Sequence, residues 1–160
     1  MHAVRVHPNF HGYELTDPRF SKLFRECADR GLVLQIAVMM EEERTQHPLV
    51  KVSHVNTAPL IELVKQTPKA RVILQNCFRA VRGRLLLELA ASERVWFDIS
   101  TLEGMAGIEK ILKLLPANRL IFGSAAPLYT LESAVLKLRE STLSRAQMTS
   151  LSSGAAQTLR

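Results

Sequence analysis

The stretch Leu32–Val38 reads LVLQIAV, and it decides the fold class of this 160-residue chain. It is a short and nearly continuous apolar run, which is typical of a parallel-sheet strand that is buried on both faces. Gly31 precedes the run and the long polar stretch Met39–Asn56 follows it. The stretch therefore predicts one buried strand with clear limits at both ends.

The segments on either side extend this pattern into a regular alternation of strands and helices. The predicted strands are Ala3–His7, Leu32–Val38, Arg71–Asn76, Arg94–Ser100 and Arg119–Gly123. The segments between them have apolar residues at helical spacing, and the predicted helices are Thr16–Arg30 with Thr16 as its cap, Thr57–Gln66, Val81–Ala91, Met105–Leu115, Leu131–Arg139 and Arg145–Leu159. The alternation predicts one α/β domain over residues 1–160, with parallel strands joined by right-handed crossovers.

Composition and charge narrow the classes of function. The chain is 47% hydrophobic and 22% charged, which is ordinary for a globular protein. It has no apolar run of about 18 residues, so we expect no membrane span. The net charge is +6, but the bases are spread along the chain without interleaved aromatic residues, so we expect no nucleic-acid partner. The two cysteines, Cys27 and Cys77, predict buried free thiols and a cytoplasmic location.

Several strand-end motifs resemble the metal-dependent amidohydrolase-related family, a branch of the (β/α)8 barrels that includes decarboxylases and lactone hydrolases. The motifs are VRVHPNFHGYEL from Val4, GLVLQIAV from Gly31, LEGMAGIEKIL from Leu102 and RLIFGSAAPL from Arg119. The resemblance implies that the five strands correspond to barrel strands four to eight, without the amino-terminal strands and their HxH metal motif. The expected fold is therefore a partial (β/α)8 TIM barrel, and an open doubly wound sheet is the alternative.

The resemblance also implies metal ligands that this sequence lacks. Similar proteins have a histidine at the end of strand five and another at the end of strand six, where this chain has Ala37 and Asn76. They have an aspartate after FGS, where this chain has Ala125. A catalytic metal needs about three protein ligands, and alanine supplies none. We therefore expect a pseudoenzyme with no metal and no cofactor, unless another chain supplies ligands for zinc or manganese.

Five polar residues at predicted strand ends are the candidate ligand-binding residues. His7, Asn9 and His11 lie at and after the end of the first strand, Asn76 ends the third, and Asp98 lies near the end of the fourth. Barrel enzymes have their sites at the carboxyl ends of the strands, so these residues are predicted to bind a small acidic or carbonyl ligand. The alternative for each is structural: ordering a loop, pairing a buried amide, or capping a turn.

Five strands cannot close an eight-stranded barrel, so the sequence leaves several hypotheses open. Two copies can pair, a separate chain can supply the missing strands, or the reading frame can be truncated. The first function is a degenerate member of the family that binds a small molecule. The second is an active hydrolase or decarboxylase whose metal site a partner chain completes. The third is an interaction subunit, in which Val72 and Phe97 matter and His7 and His11 do not.

Overall fold

The fold is described from a computed structural model that defines residues 2–41, 44, 46–157 and 159. Within these residues, five parallel strands form one sheet in the spatial order β1-β2-β3-β4-β5. The strands are β1 Ala3–Val6, β2 Val33–Ala37, β3 Val72–Gln75, β4 Val95–Asp98 and β5 Leu120–Ile121. The helices that follow them are α1 Pro18–Asp29, α2 Leu60–Gln66, α3 Gly83–Ala91, α4 Gly107–Leu112 and α5 Leu131–Glu140. The predicted partial barrel is confirmed, since a doubly wound sheet would reverse its strand order at a switch point.

The main hydrophobic core lies on the face of the sheet that α1 to α5 cover. The strand register aligns one apolar row across the whole sheet, composed of Val6, Ile36, Leu74, Phe97 and Leu120. All five side chains are buried in one cluster with residues from each of the five helices, among them Phe20, Phe24, Leu60, Val64, Leu86, Leu89, Ile108, Ile111 and Leu138. The hydrophobic spacing that predicted the helices is therefore the spacing that packs them on the sheet.

The opposite face of the sheet, called the inner face below, carries a second and smaller core. Val33, Trp96 and Ile121 are buried there against Ala155 and Leu159. In a parallel strand, successive side chains point to opposite faces, so these strand residues alternate with those of the main core. The carboxy-terminal part of the chain therefore covers a portion of the inner face.

That carboxy-terminal part is helical but not one regular helix as predicted. It consists of α6 Arg145–Thr149, a π-helical turn Ser150–Gly154 and α7 Ala155–Gln157. The turn contains the sequence Ser-Ser-Gly, whose residues favour helix ends and turns. The backbone N–H of Phe122 donates to the carbonyl of Leu151 at 3.0 Å, which ties the segment to the end of β5.

Some predicted element ends were wrong by a few residues. Asp17, not Thr16, caps α1: its Oδ1 accepts the backbone N–H of Arg19 at 2.8 Å. Thr16 Oγ1 instead donates to Glu14 Oε2 at 3.1 Å. Both residue types cap helices well, and the residue nearer to the first turn is the one that reaches its free amides.

In the described part of the chain, no helix is long and apolar enough to cross a bilayer.

Candidate functional site

The five predicted site residues all lie at the carboxyl ends of strands, but they form two groups. The first, the β1 group, is His7, Asn9 and His11, in the loop after β1. The second, the β4 group, is Asp98 at the end of β4 and Asn76 directly after β3. Among the described residues, no hydrogen bond or ring contact joins one group to the other. The structure therefore places the five residues in two separate clusters rather than one.

In the β4 group, the carboxylate of Asp98 is buried, and one of its two oxygens accepts hydrogen bonds from neighbouring donors. Its Oδ1 accepts the backbone N–H of Asn76 at 2.9 Å and that of Ser100 at 3.3 Å, and the Ser100 hydroxyl lies 2.6 Å away. Its Oδ2 faces Gly123, where a Cβ would lie only 2.7 Å from that oxygen. Gly123 is thus needed because a larger residue would collide with Asp98.

Asn76 connects the ends of three strands. Its Nδ2 donates to the carbonyl of Met39, just beyond β2, at 2.9 Å, and its Oδ1 lies 2.6 Å from the Ser100 hydroxyl beyond β4. Its φ of +53° is in the left-handed region, which asparagine tolerates better than most residues. The expectation that this buried amide is paired is confirmed. Sequence reasoning missed Ser100, although it follows Asp98 by two residues at a predicted strand end.

Lys137 of α5 is a further charged residue beside the β4 group. Its Nζ donates to the carbonyls of Ile99 at 2.7 Å and Ser100 at 3.0 Å. Burial lowers the pKa of Lys137, and the charge of Asp98 opposes that change. Burial raises the pKa of Asp98, while the hydrogen bonds from Ser100 and Asn76 and the charge of Lys137 oppose the rise. Nothing in the helical pattern around Lys137 distinguished it from a solvated lysine, so the sequence contained no signal for this contact.

In the β1 group, His7 has a buried ring nitrogen without a partner. Its Nδ1 makes no hydrogen bond with any of the residues that the structure describes. The His7 and His11 rings pack edge to face, with their centroids 6.2 Å apart. Burial is the main cause that lowers the pKa of His7, and the positive charges of Arg5 and His11 lower it further. The neutral imidazole is therefore the favoured form of His7.

Asn9 has a loop-ordering contact and lies beside an open groove. Its Nδ2 donates to the carbonyl of Ser53, which holds the loop after β1 against the segment before α2. Between these two segments lies an open groove of about 830 Å³, with Glu14, Lys51 and His54 among the residues that line it. Asn9 thus borders the groove, whereas neither residue of the β4 group does.

A polar row on the inner face was not predicted as part of the site. Arg5 of β1 is the register partner of Gln35 on β2. Arg5 Nε donates to Gln35 Oε1 at 2.9 Å, and Gln75 Nε2 of β3 approaches the same oxygen at 3.4 Å. A signal for this row existed in the sequence, since Arg5 stands between Val4 and Val6 in a strand and must face away from their core.

The side chains of the site do not fit a catalytic metal ion. Ala37 ends β2 and Ala125 follows β5, and neither offers a ligand atom. Asp98 Oδ1 already accepts two backbone N–H groups, and the two histidines belong to the other group. Within residues 2–41, 44, 46–157 and 159, no three His, Cys, Asp or Glu side chains are placed to hold one ion. The described chain by itself therefore lacks the three ligands that a catalytic zinc requires.

Comparisons with known proteins agree with the fold. The family model described as amidohydrolase matches residues 1–152. An uncharacterized TIM-barrel protein from Bordetella bronchiseptica is similar with a TM-score of 0.73 and 16% identity, over 97% of this chain and 56% of that one. The structure of 5-carboxyvanillate decarboxylase from Sphingomonas paucimobilis is similar with a TM-score of 0.74 and 11% identity, over 99% of this chain and 58% of that one. A dihydroxybenzoic acid decarboxylase from Polaromonas was solved with manganese and the inhibitor 2-nitroresorcinol. It is similar with a TM-score of 0.67 and 11% identity, over 92% of this chain and 55% of that one.

The fold is that of a partial TIM barrel, with parallel strands in sequential order and their carboxyl ends at one edge. The chain belongs to the amidohydrolase family, whose model covers nearly all of it. It spans 55–58% of the length of the three solved barrels named above. A search of curated proteins finds no match.

Proposed function

We propose that this chain is a degenerate member of the amidohydrolase family that binds a small molecule at the carboxyl ends of its strands, without metal chemistry of its own. The observation that carries the proposal is the buried Nδ1 of His7, which has no hydrogen-bond partner. A buried polar atom without a partner costs roughly 1–3 kcal/mol, which a bound ligand would recover. His11 lies beside this ring, so a second imidazole is available to the same ligand.

The absence of metal chemistry is supported by the residues at the strand ends. Alanine stands at the end of β2 and after β5, at Ala37 and Ala125. Asp98 lies at the end of β4, and its Oδ1 accepts backbone N–H groups from Asn76 and Ser100. Such a carboxylate ties the ends of β3 and β4 together through its Oδ1.

The structural neighbours suggest the size of the ligand. Two of them are named as decarboxylases of carboxyvanillate and dihydroxybenzoic acid, and one holds 2-nitroresorcinol. We therefore propose a small acidic or carbonyl compound of about one aromatic ring.

A nuclear magnetic resonance titration tests this proposal directly. Protein labelled with 13C-histidine is titrated with 2-nitroresorcinol and with 5-carboxyvanillate, and the ring signals of all histidines are followed. We expect the signals of His7 and His11 to shift, and His7→Gln to abolish binding. The matched control is His47→Gln, since His47 is exposed in the loop before α2 and should not respond. Equal shifts at His47, or no shift at His7, would overturn the proposal.

A second candidate function is an active hydrolase or decarboxylase that a partner completes. The observation that favours it is the position of β1 and β5 at the two edges of the sheet, where a partner's strands can pair. Metal analysis and light scattering on one chromatographic peak separate the candidates. Near-stoichiometric zinc or manganese in a defined oligomer would overturn the degenerate function. A metal-free monomer or dimer with the His7 response supports it, and a metal-free oligomer without that response would indicate an interaction subunit instead.

We also propose a cytoplasmic location, on the basis of the two thiols. Cys27 and Cys77 are free and buried, which agrees with the sequence expectation. Burial raises the pKa of both thiols, so they remain protonated and weakly reactive. Alkylation of denatured protein taken directly from cells should find two free thiols by mass spectrometry, and a disulfide would contradict the proposal.

A further inference from the structure

We infer that Arg5 and His7 form a carboxylate-binding subsite on the inner face of β1. The inference rests on the proposed function, because it concerns the same ligand site. The proposed function allows an acidic or a carbonyl ligand, whereas this inference states that the ligand carries a negative charge.

The two side chains lie on the same side of β1. Val4 and Val6 pack on the helix-covered core, and the side chains of a strand alternate between its faces. Arg5 and His7 therefore face the inner side, separated by about 6.6 Å along the strand. Ala37 at the end of β2 is the next position beyond the registered pair Val6 and Ile36, and it lines a small cavity of about 10 Å³ together with His7.

The guanidinium of Arg5 is held in place at one edge only. Its Nε donates to Gln35 Oε1 at 2.9 Å, and Gln75 supports that oxygen from the other side. Within the described part of the chain, the side chain of Arg5 has no other hydrogen bond and no ion pair. Its two terminal nitrogens therefore remain available as a planar pair of donors, which matches the two oxygens of a carboxylate. The contact with Gln35 also restricts the side chain before any ligand arrives, so less conformational entropy is lost on binding.

His7 supplies the second half of the subsite. Its Nδ1 is buried and has no hydrogen-bond partner among the described residues. His7 follows Arg5 by two residues and lies directly after the end of β1. The charges of Arg5 and His11 now lower the pKa of His7. A carboxylate between Arg5 and His7 would reverse this effect, because a negative charge favours the imidazolium form. A rise in the pKa of His7 is therefore a direct signature of an anion in the subsite.

The experiment compares benzoate with benzamide, which have nearly the same shape but differ in charge. Binding and the pKa of His7 are both measured by histidine NMR on the full chain. We expect benzoate to bind more tightly and to raise the pKa of His7, and benzamide to do neither. Arg5→Gln should weaken benzoate binding about tenfold or more and leave benzamide unchanged. Arg25→Gln is the matched control, since Arg25 is exposed on α1 and its loss changes the net charge equally.

A second variant keeps Arg5 but makes its guanidinium less available to a ligand. Gln35→Glu places a carboxylate within reach of Arg5 Nε and should compete with benzoate. If benzamide binds as well as benzoate, and neither variant changes the ratio, the carboxylate subsite is overturned while a ligand site at His7 remains. If benzoate, benzamide and 2-nitroresorcinol all leave His7 unaffected, the subsite and the proposed function are both overturned.

Discussion

The two faces of the sheet are built from the same short strands, yet they differ in almost every physical respect. On β4, Phe97 faces the helices and is fully buried among apolar side chains, whereas the adjacent Asp98 faces inward and is held by hydrogen bonds. On β1, Val6 belongs to the main core and Arg5 is exposed on the inner face. Neighbouring residues in the chain thus have separate physical roles because a strand alternates its side chains.

The comparison teaches where stability and binding are concentrated in this molecule. The helix-covered face is one continuous apolar layer with residues from every strand. The inner face is apolar where Ala155 and Leu159 cover it, and it carries the polar row of Arg5, Gln35 and Gln75 on β1, β2 and β3. Substitutions on the first face should therefore change the free energy of unfolding most, and those on the second should mainly change binding or pH dependence.

The largest effect is expected for Phe97→Ala. Removing a fully buried ring from the main core leaves a cavity and should cost about 3–5 kcal/mol in free energy of unfolding. Urea denaturation followed by circular dichroism measures it. Leu114→Ala, at an exposed position beside α4, is the control and should change stability by less than about 0.5 kcal/mol. Equal costs at the two positions would mean that the helix-covered face is not the main core.

A smaller loss is expected for Leu159→Ala on the inner face. Leu159 is buried against a small cluster that contains Trp96 and Ile121, so we expect about 2–3 kcal/mol, the lower part of the range for a buried leucine. The same denaturation experiment measures it, with the exposed Leu136→Ala as control. A cost as large as that of Phe97→Ala would contradict the ranking of the two cores.

Asp98 should make stability depend on pH with an unusual sign. Burial raises its pKa in the folded state above the ordinary value of 3.8, so the folded chain binds this proton more tightly than the unfolded chain. The stability that the protonated Asp98 contributes is fully present below pH 3.8, and it is lost as the pH rises through the pKa of Asp98 in the folded chain. The difference in unfolding free energy between wild type and Asp98→Asn should therefore decrease with rising pH.

Asp17 provides the opposite case and serves as the control. The hydrogen bonds from Arg19 lower the pKa of Asp17. The difference between wild type and Asp17→Asn should accordingly increase as the pH rises toward 3.8. If the free-energy differences for Asp98→Asn and Asp17→Asn changed with pH in the same direction, burial would not govern the ionisation of Asp98.

The smallest effect is expected for Ala125→Gly, after β5. Ala125 has a φ of +52°, and the left-handed conformation costs a non-glycine residue about 1–2 kcal/mol. Glycine removes this cost but loses more chain entropy on folding, so we expect a net gain of about 0.5 kcal/mol. Ala156→Gly in α7 should instead lose about 0.5–1 kcal/mol, because helical alanine has no strain to relieve. A loss at both positions would contradict the strain at Ala125.

The candidate site was only partly predictable for reasons that particular residues illustrate. His7, Asn9, His11, Asn76 and Asp98 could be placed at strand ends because strand limits follow from local hydrophobicity. The contacts of the β4 group could not be predicted, since Asn76 reaches the carbonyl of Met39, 37 residues earlier in the chain. Ser100 and Arg5 were missed because serine and arginine are common at exposed positions. Each has a partner far away in the sequence, Asn76 after β3 for Ser100 and Gln35 on β2 for Arg5.

The sequence by itself determined the strand–helix alternation and the parallel sheet, because both follow from apolar spacing within ten or so residues. Its resemblance to the amidohydrolase-related family, and not the spacing, favoured the partial barrel over a doubly wound sheet. Only the tertiary structure decided what the polar residues do. The hydrogen bonds between Asn76 and Asp98 and between Arg5 and Gln35 join residues 22 and 30 positions apart. Such contacts depend on the register of neighbouring strands, which the packing of the whole sheet sets, and no local pattern of residues records it.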